Sequence, residues 1–401
     1  MQQDRSQPVT PSAAEAKTNV HLPLAGVRVL DLTMNIAGPY AAMILADLGA
    51  DVLKIERPGG DDARRMVPRH DNGSAYFYAI NRNKTAAQID LRTSDGQAAF
   101  ADELRVCDVL LTNLRPATLR RLGIDAGKLR KTYPQLIYAD ISAYGTRGDE
   151  SDRPGYDMVL QARSGIMSIN GNADGPPARV GVSVLDMGSG LWIAVGIIAA
   201  LYDRAHTGLG GRISTSLLEV GAGLMAYDIA AYQLTGEIPQ RRGSGHPSFG
   251  PYGVFATKDG LLAIGVGSDG IFARLAAAVG APGWSTDPRF ATNADRMTHS
   301  AELRDELEGR LAARTAREWV PALTCADVPA DVVADTAGIL TDPQLEKLGA
   351  WLDLCVGDRN PRPLRVPAIP LRLDGARPPL RLPVPEPPGP DTAARVRGTG
   401  P

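Results

Sequence analysis

An aspartate at the entrance to an apolar helix is the first candidate for chemistry in this sequence. Asp186 lies in the stretch 177–211, just before a run of apolar side chains that extends from Leu191 to Leu201. The first turn of a helix offers free backbone N–H groups and the positive end of the helix dipole, and both favour a negative charge. We therefore expect an ionised Asp186 carboxylate that is available as a nucleophile. The alternative is a purely structural role, because aspartate is a favoured N-cap.

The residues around Asp186 extend this expectation. The small residues 188–190, Gly-Ser-Gly, would let a ligand approach the carboxylate closely. The preceding residues 179–181, Arg-Val-Gly, are compatible with a strand that brings Asp186 to the edge of a sheet. The helix itself is apolar on nearly every face, a pattern typical of a helix that is buried on all sides. Arg204 and Gly208 are ordinary signals for its end.

The elements before Asp186 alternate between strands and helices. Apolar patterns predict strands at residues 24–32, 51–56, 108–111 and 136–141, and helices at residues 40–48, 97–104 and 116–122. Strand, helix and strand at this spacing indicate parallel βαβ units, so we expect a Rossmann-like, doubly wound α/β domain. Ligands in such sheets bind at the carboxyl ends of the strands. The loops expected there are residues 33–39, 56–60, 113–116 and 142–148.

The pattern changes after a further strand at 212–216 and a helix at 217–234. Lys258-Asp259-Gly260 lies between two short apolar runs and predicts a β-hairpin, which places a smaller α+β domain here. Residues 265–270 fit the G-x-G-x-x-G fingerprint of dinucleotide-binding proteins. This fingerprint follows a predicted hairpin rather than opening a βαβ unit, so we do not predict dinucleotide binding.

These patterns divide the 401 residues into four parts. Residues 1–21 are polar and contain prolines, and we expect them to be disordered. Residues 22–225 form the predicted large domain, and residues 226–335 form the small domain with its linkers. Residues 336–401 return to the large domain and end in a proline-rich tail. This tail is expected either to run as an extended strap over the surface or to be disordered.

Composition excludes several classes of protein. The net charge of −2 gives no general affinity for nucleic acid. The cysteines form no CxxC pair and the histidines show no metal-ligand spacing, so neither a disulfide framework nor a metal site is predicted. The amino-terminal residues lack the apolar core of a signal peptide, and the longest apolar run, residues 191–202, is too short to span a membrane. We therefore expect a cytoplasmic protein with no membrane segment.

Several motifs together resemble one known family. Residues 179–190 read R-V-G-x-x-x-x-D-x-x-x-G, and R-x-x-T-G-x-G-G follows at residues 204–211. Residues 81–84 form an N-x-N-K element, and residues 287–293 read D-P-R-F-A-T-N. These motifs, spread over residues 24–392, are similar to those of the family III CoA-transferases of the CaiB/BaiF type. The same family contains the 2-methylacyl-CoA racemases.

The resemblance implies a site for CoA and a role for Asp186. In the transferases the matching aspartate is the nucleophile. Family members hold CoA at positions that correspond here to Ala37, Arg57, Lys84, Asn113, Leu114, Arg121 and Tyr156. The chemistry is consistent, because CoA carries a pyrophosphate and a 3′-phosphate, which arginine and lysine bind through charge-assisted hydrogen bonds. CoA and acyl-CoA would be substrates, and no metal or redox cofactor would be needed.

The resemblance also implies a mechanism and an assembly. Asp186 would attack the donor thioester, and the reaction would pass through a mixed anhydride and an aspartyl-CoA thioester before a free carboxylic acid accepts CoA. Backbone amides of residues 188–190 would stabilise the oxyanions. Family members are interlocked homodimers in which each chain threads through the ring of the other. The predicted crossings between domains, residues 236–250 and 326–345, are suited to such threading.

Some positions depart from the family pattern and keep alternatives open. The racemases carry a histidine where this chain has Tyr156, and a tyrosine, with a reference pKa of about 10, is a poor general base at neutral pH. Ser142 occupies a position at which other members have a lysine, and residues 34–36 lack their polar turn residues. We therefore expect a different acyl pocket. A racemase-type isomerase and a non-catalytic CoA-binding protein remain alternatives to a CoA-transferase.

Overall fold

The computed structural model describes residues 20–71, 73–357 and 360–389. Disorder is predicted for residues 1–21, and residues 1–19 of this segment lie outside the described part of the chain. The end of the proline-rich tail, from residue 390 onward, also lies outside it.

The first part of the chain alternates strands and helices as the sequence predicts. Its strands are β1 (Arg28–Leu32), β2 (Asp51–Glu56), β3 (Arg69–His70), β4 (Gly73–Ser74), β5 (Lys84–Gln88), β6 (Val109–Thr112), β7 (Ile137–Ser142) and β8 (Arg212–Ser216). Its helices are α1 (Ala37–Asp47), α2 (Ala75–Ile80), α3 (Ser94–Leu104), α4 (Pro116–Arg121), α5 (Ala126–Thr132), α6 (Asp157–Arg163), α7 (Ile166–Ile169), α8 (Val184–Thr207), α9 (Leu217–Leu224) and α10 (Ala226–Thr235), with a 3-10 turn at Asp62–Arg65. The predicted helix 217–234 is therefore interrupted, at Met225, between α9 and α10.

The central sheet has the predicted doubly wound topology. Its strands are all parallel and lie in the order β5-β2-β1-β6-β7-β8. Counted along the chain within this sheet, the order is 3-2-1-4-5-6, which is the order of a Rossmann fold. The direction of winding reverses between β1 and β6, and a crevice opens outside the carboxyl ends of these two strands. The Rossmann-like prediction is confirmed.

Helices cover both faces of this sheet. Val29 and Val109 pack with α1 and α8 on one face, whereas their neighbours Leu30 and Leu110 pack with α3 and α4 on the other. Successive side chains of a strand point to opposite faces, so a continuous apolar run supplies two cores at once. The sheet is consequently buried on both sides, and its carboxyl edge is the part that remains open to a ligand.

Helix α8 differs from its prediction in two respects. The residues 179–183 that precede it are irregular rather than a strand. Only one face of the helix, which includes Leu185 and Ile193, is buried in the chain. The opposite face exposes Leu191, Trp192 and Val195, and the side chain of Trp192 is 63% exposed. The prediction of a helix buried on all sides is therefore wrong for the single chain.

Helix α8 is also longer than the apolar run suggested. It comprises 24 residues with a mean hydropathy of 1.9 over its most apolar window, 33% of which is buried. Within the described residues it is the one helix with the length and apolarity of a membrane-spanning segment. The prediction that the apolar run is too short to span a membrane does not hold for the helix as folded. In this structure α8 packs against α1, β7 and β8.

The smaller part of the chain has its own sheet and core. Strands β9 (Tyr252–Ala256), β10 (Leu261–Gly265) and β11 (Ala330–Val332) form an antiparallel sheet. It packs with α11 (Asp269–Ala278), α12 (Asn293–Thr298), α13 (Ser300–Leu311) and α14 (Ala316–Cys325), and a 3-10 turn lies at Pro282–Ser285. The G-x-G-x-x-G sequence follows β10 of this antiparallel sheet, which is not the βαβ context of a dinucleotide site.

The chain then returns to the large domain. The return contains α15 (Thr336–Leu340), α16 (Pro343–Lys347) and a hairpin of β12 (Trp351–Val356) and β13 (Arg362–Pro367). The described residues of the proline-rich tail run as an extended strap over the large domain. The side-chain oxygen Oδ1 of Asn83 accepts hydrogen bonds from the backbone N–H groups of Arg381 (2.6 Å) and Leu382 (2.8 Å). The Arg381 guanidinium donates to the carbonyl oxygens of Ala46 and Ala50.

Candidate active site

A cleft of about 1290 Å³ opens at the carboxyl end of the parallel sheet. Each of the loops predicted there contributes to its lining. The predicted site residues in the lining are Ala37, Arg57, Asn113, Leu114, Arg121, Tyr156 and Asp186. The fold thus brings together all the predicted site residues except Lys84, although they come from segments up to 149 positions apart in the chain (37 to 186).

Asp186 is placed in the first turn of α8, not at its N-cap. The helix begins at Val184, and Ser183 occupies the N-cap position. The amides at the start of the helix are used by another carboxylate, Asp157 at the start of α6. Oxygen Oδ2 of Asp157 accepts hydrogen bonds from the backbone N–H groups of Leu185 (2.8 Å) and Asp186 (3.2 Å). Asp157 is therefore the residue that caps α8, and sequence reasoning missed this role.

This arrangement changes the charge state expected for Asp186. Burial, together with the smaller effect of the nearby Asp157 charge, raises the pKa of Asp186 to about 7. Among the described residues, no hydrogen bond reaches the Asp186 carboxylate to oppose this effect. The expectation that the helix terminus keeps Asp186 fully ionised is therefore wrong, because the helix amides are already occupied. Both protonation states are present near neutral pH.

The small residues after Asp186 serve packing. Gly188 and Gly190 lie inside α8, where backbone amides bond to the carbonyl groups of the preceding turn. They are therefore not the free oxyanion donors that the sequence suggested. A Cβ atom on Gly190 would lie 2.7 Å from the carbonyl oxygen of Ala37 and 2.9 Å from Cδ1 of Tyr40. The glycine allows α8 to lie directly against the start of α1.

Arginines give the cleft a positive lining. Arg57 is exposed and its guanidinium bonds to the carboxylate of Asp62 at 2.8 Å. Arg121 is exposed at the end of α4. Further arginines of the lining, absent from the prediction, are Arg65, Arg92, Arg115 and Arg153. In the sequence, these arginines could have been recognised because each lies shortly after a predicted strand or in a loop at the carboxyl edge of the sheet. Such a concentration of cations suits a phosphate-bearing ligand.

Asn113 and Lys84 both bond to the backbone of residues 33–39. The Asn113 amide holds the backbone of Met34, accepting from its N–H (3.0 Å) and donating to its carbonyl oxygen (2.7 Å). Lys84 is buried, and it is not among the described residues that line the cleft. Its Nζ donates to Asp31 Oδ2 (3.1 Å), the Pro39 carbonyl oxygen (2.8 Å) and Asn81 Oδ1 (2.9 Å). Lys84 Nζ thus has three buried acceptors within the protein.

Tyr156 and Ser142 both line the cleft. The Tyr156 side chain is 72% exposed, immediately before α6. The Ser142 hydroxyl bonds to the backbone of Gly145 and Thr215. In the part of the chain that the structure describes, no histidine lines the cleft, and no cluster of histidine, cysteine and carboxylate side chains is suited to a metal. The second base of a racemase is therefore not found beside Asp186.

Comparison with known proteins decides the family. The sequence profile of CoA-transferase family III matches residues 24–392. The chain belongs to CoA-transferase family III. The resemblance drawn from the motifs is confirmed, and so is the enzyme class, because the curated relatives of this chain are named CoA-transferases.

The relatives match over most of the chain. The succinate–glutarate CoA-transferase of Agrobacterium fabrum is 36% identical over 371 residues, which cover 89% of this chain and 93% of that protein. The acetyl-CoA:oxalate CoA-transferase of Acetobacter aceti is 39% identical, covering 80% and 83%. The succinyl-CoA–D-citramalate CoA-transferase of Chloroflexus aurantiacus is 37% identical, covering 80% and 81%.

Solved structures show the same fold. A CaiB/BaiF family protein from Brucella suis superimposes with a TM-score of 0.84 and 33% identity, covering 94% of this chain and 99% of that one. The protein Rv3272 from Mycobacterium tuberculosis superimposes with a TM-score of 0.82 and 31% identity, covering 94% and 99%. The family III CoA-transferase thus has a mixed α/β fold with the parallel sheet described above.

The raised pKa of Asp186 predicts a pH-dependent stability. A carboxyl group whose pKa is higher in the folded protein than its reference of 3.8 stabilises the fold below that reference. This contribution is lost as the pH rises through about 7. Asp186→Asn has no group to ionise, so its melting temperature should be close to that of the wild type at pH 4 and higher than that of the wild type at pH 8.

A matched control is available on the same helix. Asp203→Asn removes an exposed carboxylate near the other end of α8 and should show no such dependence on pH. If Asp186→Asn differs from the wild type by the same amount at both pH values, the raised pKa is wrong.

Proposed function

We propose that Asp186 is the nucleophile of CoA transfer in this cleft. A carboxylate oxygen of Asp186 attacks the carbonyl carbon of the donor thioester, the C–S bond breaks, and a mixed anhydride and CoA thiolate result. The thiolate attacks the aspartyl carbonyl carbon, releasing the donor acid and leaving an aspartyl-CoA thioester. The acceptor carboxylate attacks the aspartyl carbonyl carbon of this thioester, the C–S bond breaks, and a second anhydride and CoA thiolate result. Attack of the thiolate on the acceptor carbonyl carbon then forms the new acyl-CoA and restores Asp186.

The surroundings of Asp186 support this role. It lines the cleft at the start of a rigid helix, and the amides that would otherwise bind its charge are taken by Asp157. A carboxylate without hydrogen-bond donors keeps its electron pairs available for attack. Its pKa of about 7 leaves a substantial ionised fraction at neutral pH, and a titratable group perturbed in this way within a cleft is typical of a reactive position.

The positive lining supports CoA as the group held beside Asp186. We propose that Arg57 and Arg121 contact the phosphates of CoA, as the resemblance to the family implied. Both side chains are exposed at the cleft, so their guanidinium groups can reach a ligand without breaking a buried contact. Leu114, Tyr156 and Ala37 would contact the less polar parts of the substrate. The proposed steps use only carboxylate and thiol chemistry, and they require no metal or redox cofactor.

The chemistry of the relatives supports a dicarboxylic acid as the substrate class. The named partners of the three relatives include succinate and glutarate, oxalate, and succinyl-CoA with D-citramalate. Each name contains an acid with two carboxyl groups. We propose that this enzyme likewise transfers CoA to a short dicarboxylic acid, and that an arginine of the cleft lining binds the carboxylate that does not react.

The exposed apolar surface supports an assembly of two chains. Leu191, Trp192 and Val195 form an exposed row on α8. All residues of helix α10 lie in the described part of the chain, and none of them is buried. The helix exposes Tyr227 and Leu234. Exposed apolar patches are a common feature of protein interfaces. We propose an interlocked homodimer, with the connections at residues 236–250 and 326–345 providing the crossings.

We also propose a cytoplasmic location. The cysteines of the described chain, Cys107, Cys325 and Cys355, are free thiols, a state that a reducing compartment preserves.

The proposed nucleophile predicts a covalent adduct. Incubated with succinyl-CoA and no acceptor, the wild-type protein should gain a hydroxylamine-sensitive adduct on the peptide that contains Asp186, detected by mass spectrometry. Asp186→Asn should lose both the adduct and CoA transfer, because an amide is not a competent nucleophile, while retaining CoA binding. Asp203→Asn should behave as the wild type. Transfer at a near wild-type rate by Asp186→Asn would rule out this mechanism.

The proposed substrate class predicts a preference between acids of equal length. With acetyl-CoA as the donor, succinate should be a better acceptor than butyrate in kcat/KM by about 10-fold or more. The reason is that a hydrogen-bonded contact to a charged group contributes about 1.5–3 kcal/mol. Both acids have four carbons, so the comparison isolates the second carboxylate. Equal values for the two acids would show that the pocket does not recognise it.

The proposed assembly predicts a dimer that resists dilution. Native mass spectrometry at nanomolar concentration should give twice the chain mass of 42.5 kDa, because linked rings separate only when a chain unfolds. A species of single-chain mass under these conditions is the result that excludes interlocking.

A further inference from the structure

The wall of the cleft beside α8 is a short loop, residues 33–39, which we call the cleft loop. Its residues from Thr33 to Ala37 line the cleft. Asn35 has a φ of 65°, in the left-handed region that side chains other than glycine rarely adopt. A backbone of this shape persists only when the surrounding structure fixes it.

Besides Asp31, whose Oδ1 accepts from the Thr33 N–H at 3.1 Å, four side chains from outside the loop hold its backbone. Lys54 Nζ donates to the carbonyl oxygen of Thr33 at 2.9 Å. Asn113 bonds to both polar backbone groups of Met34, and Asp61 Oδ1 accepts from the Asn35 N–H at 3.2 Å. Lys84 Nζ donates to the carbonyl oxygen of Pro39 at 2.8 Å. We call Lys54, Asp61, Lys84 and Asn113 the loop clamp.

The charged members of the loop clamp are balanced and buried. Lys54 Nζ lies 2.8 Å from Asp61 Oδ2, and Lys84 Nζ lies 3.1 Å from Asp31 Oδ2. The side chains of these two ion pairs, Lys54 with Asp61 and Lys84 with Asp31, are between 0% and 1% exposed. A buried ion pair is weak evidence for stability, since desolvation offsets much of the attraction. What these ammonium groups add is a donor for a carbonyl oxygen at each end of the cleft loop.

The other side of the cleft loop faces the helix of the nucleophile. The Ala37 carbonyl oxygen lies so close to Gly190 of α8 that a Cβ atom there would be 2.7 Å away. The loop is thus fixed between the loop clamp and the helix that carries Asp186. The loop clamp and α8 together therefore set where the cleft wall lies relative to the Asp186 carboxylate.

We propose that the loop clamp positions the cleft loop for CoA transfer, and that Lys84 is a positioning residue for the reaction rather than a ligand of CoA. The inference rests on the proposed function, because it requires acyl-CoA to bind in this cleft with Asp186 as the nucleophile. Loss of the Lys84 contact frees the end of the loop at Pro39. The acyl group is then held at the wrong distance from Asp186.

The first test separates positioning from phosphate binding. Lys84→Met keeps the length of the side chain and removes its donors. With succinyl-CoA, kcat should fall by about 100-fold, the effect of a small misplacement of reacting groups. The dissociation constant for CoA should stay within about 3-fold of the wild type, because positioning by the clamp does not require contact with phosphate. The same fall in kcat should appear with succinyl-pantetheine, which lacks the nucleotide and all phosphates.

Two further variants provide matched comparisons. Arg121→Met removes a cation that lines the cleft, so its effect should be present with succinyl-CoA and absent with succinyl-pantetheine. Lys128→Met removes an exposed lysine on α5 and should match the wild type with both substrates. If the effect of Lys84→Met also vanishes with succinyl-pantetheine, Lys84 binds phosphate and the proposal is overturned.

A second test guards against simple misfolding. Lys84→Met leaves Asp31 buried without its partner, so the double variant Asp31→Asn, Lys84→Met removes both charges together. Its melting temperature should be closer to that of the wild type, while kcat stays low because the Pro39 contact is still missing. Recovery of a wild-type kcat in the double variant would overturn the proposal.

The behaviour of Asp186→Asn separates a failure of the proposed function from a failure of the positioning role of Lys84. If Asp186→Asn retains transfer, the proposed function fails whatever Lys84 does. If Asp186→Asn is inactive and Arg121→Met weakens the CoA substrate alone, a wild-type kcat in Lys84→Met refutes the positioning role and leaves the proposed function standing.

Discussion

Charge balance beneath the carboxyl edge of the sheet is the constraint on which the cleft depends. Lys54 on β2 and Lys84 on β5 lie with Asp31 and Asp61 in a buried group, where each charge alone would be costly. Together the charges compensate one another, and the ammonium groups also bind the ends of the cleft loop. The shape of the cleft wall is therefore tied to the strands of the central sheet.

A second consequence of buried charge appears at the start of α8. Two carboxylates meet there, and the helix amides bind only Asp157. Asp186 is left in the cleft with a raised pKa, in a state that is poor for stability. In the proposed reaction this is the useful state, because the carboxylate remains free to attack a thioester. Asp157 thus stabilises the start of the helix, while the neighbouring carboxylate of Asp186 is the one proposed to react.

The N-x-N-K element shows how a motif can identify a family without touching the ligand. Arg82 is buried and bonds to the carboxylate of Asp47 at the end of α1, at 2.7 Å. Asn83 binds the proline-rich strap, and Lys84 binds the cleft loop. Three successive residues therefore connect helix, strap and loop. The resemblance based on this motif identified the family correctly, whereas the contacts of these three side chains came only from the structure.

The sequence by itself determined the order of strands and helices, because period and turn signals are local. It predicted the bounds of β2, the doubly wound topology, the antiparallel context of residues 265–270 and the position of Asp186 at the start of a helix. Only the tertiary structure decided which polar groups remain available to a ligand. Asn113 and Lys84 are occupied by loop backbone, and the α8 amides by Asp157. The physical reason is that hydrogen-bond partners and burial come from residues far apart in the chain, and these set both the charge and the reach of a side chain.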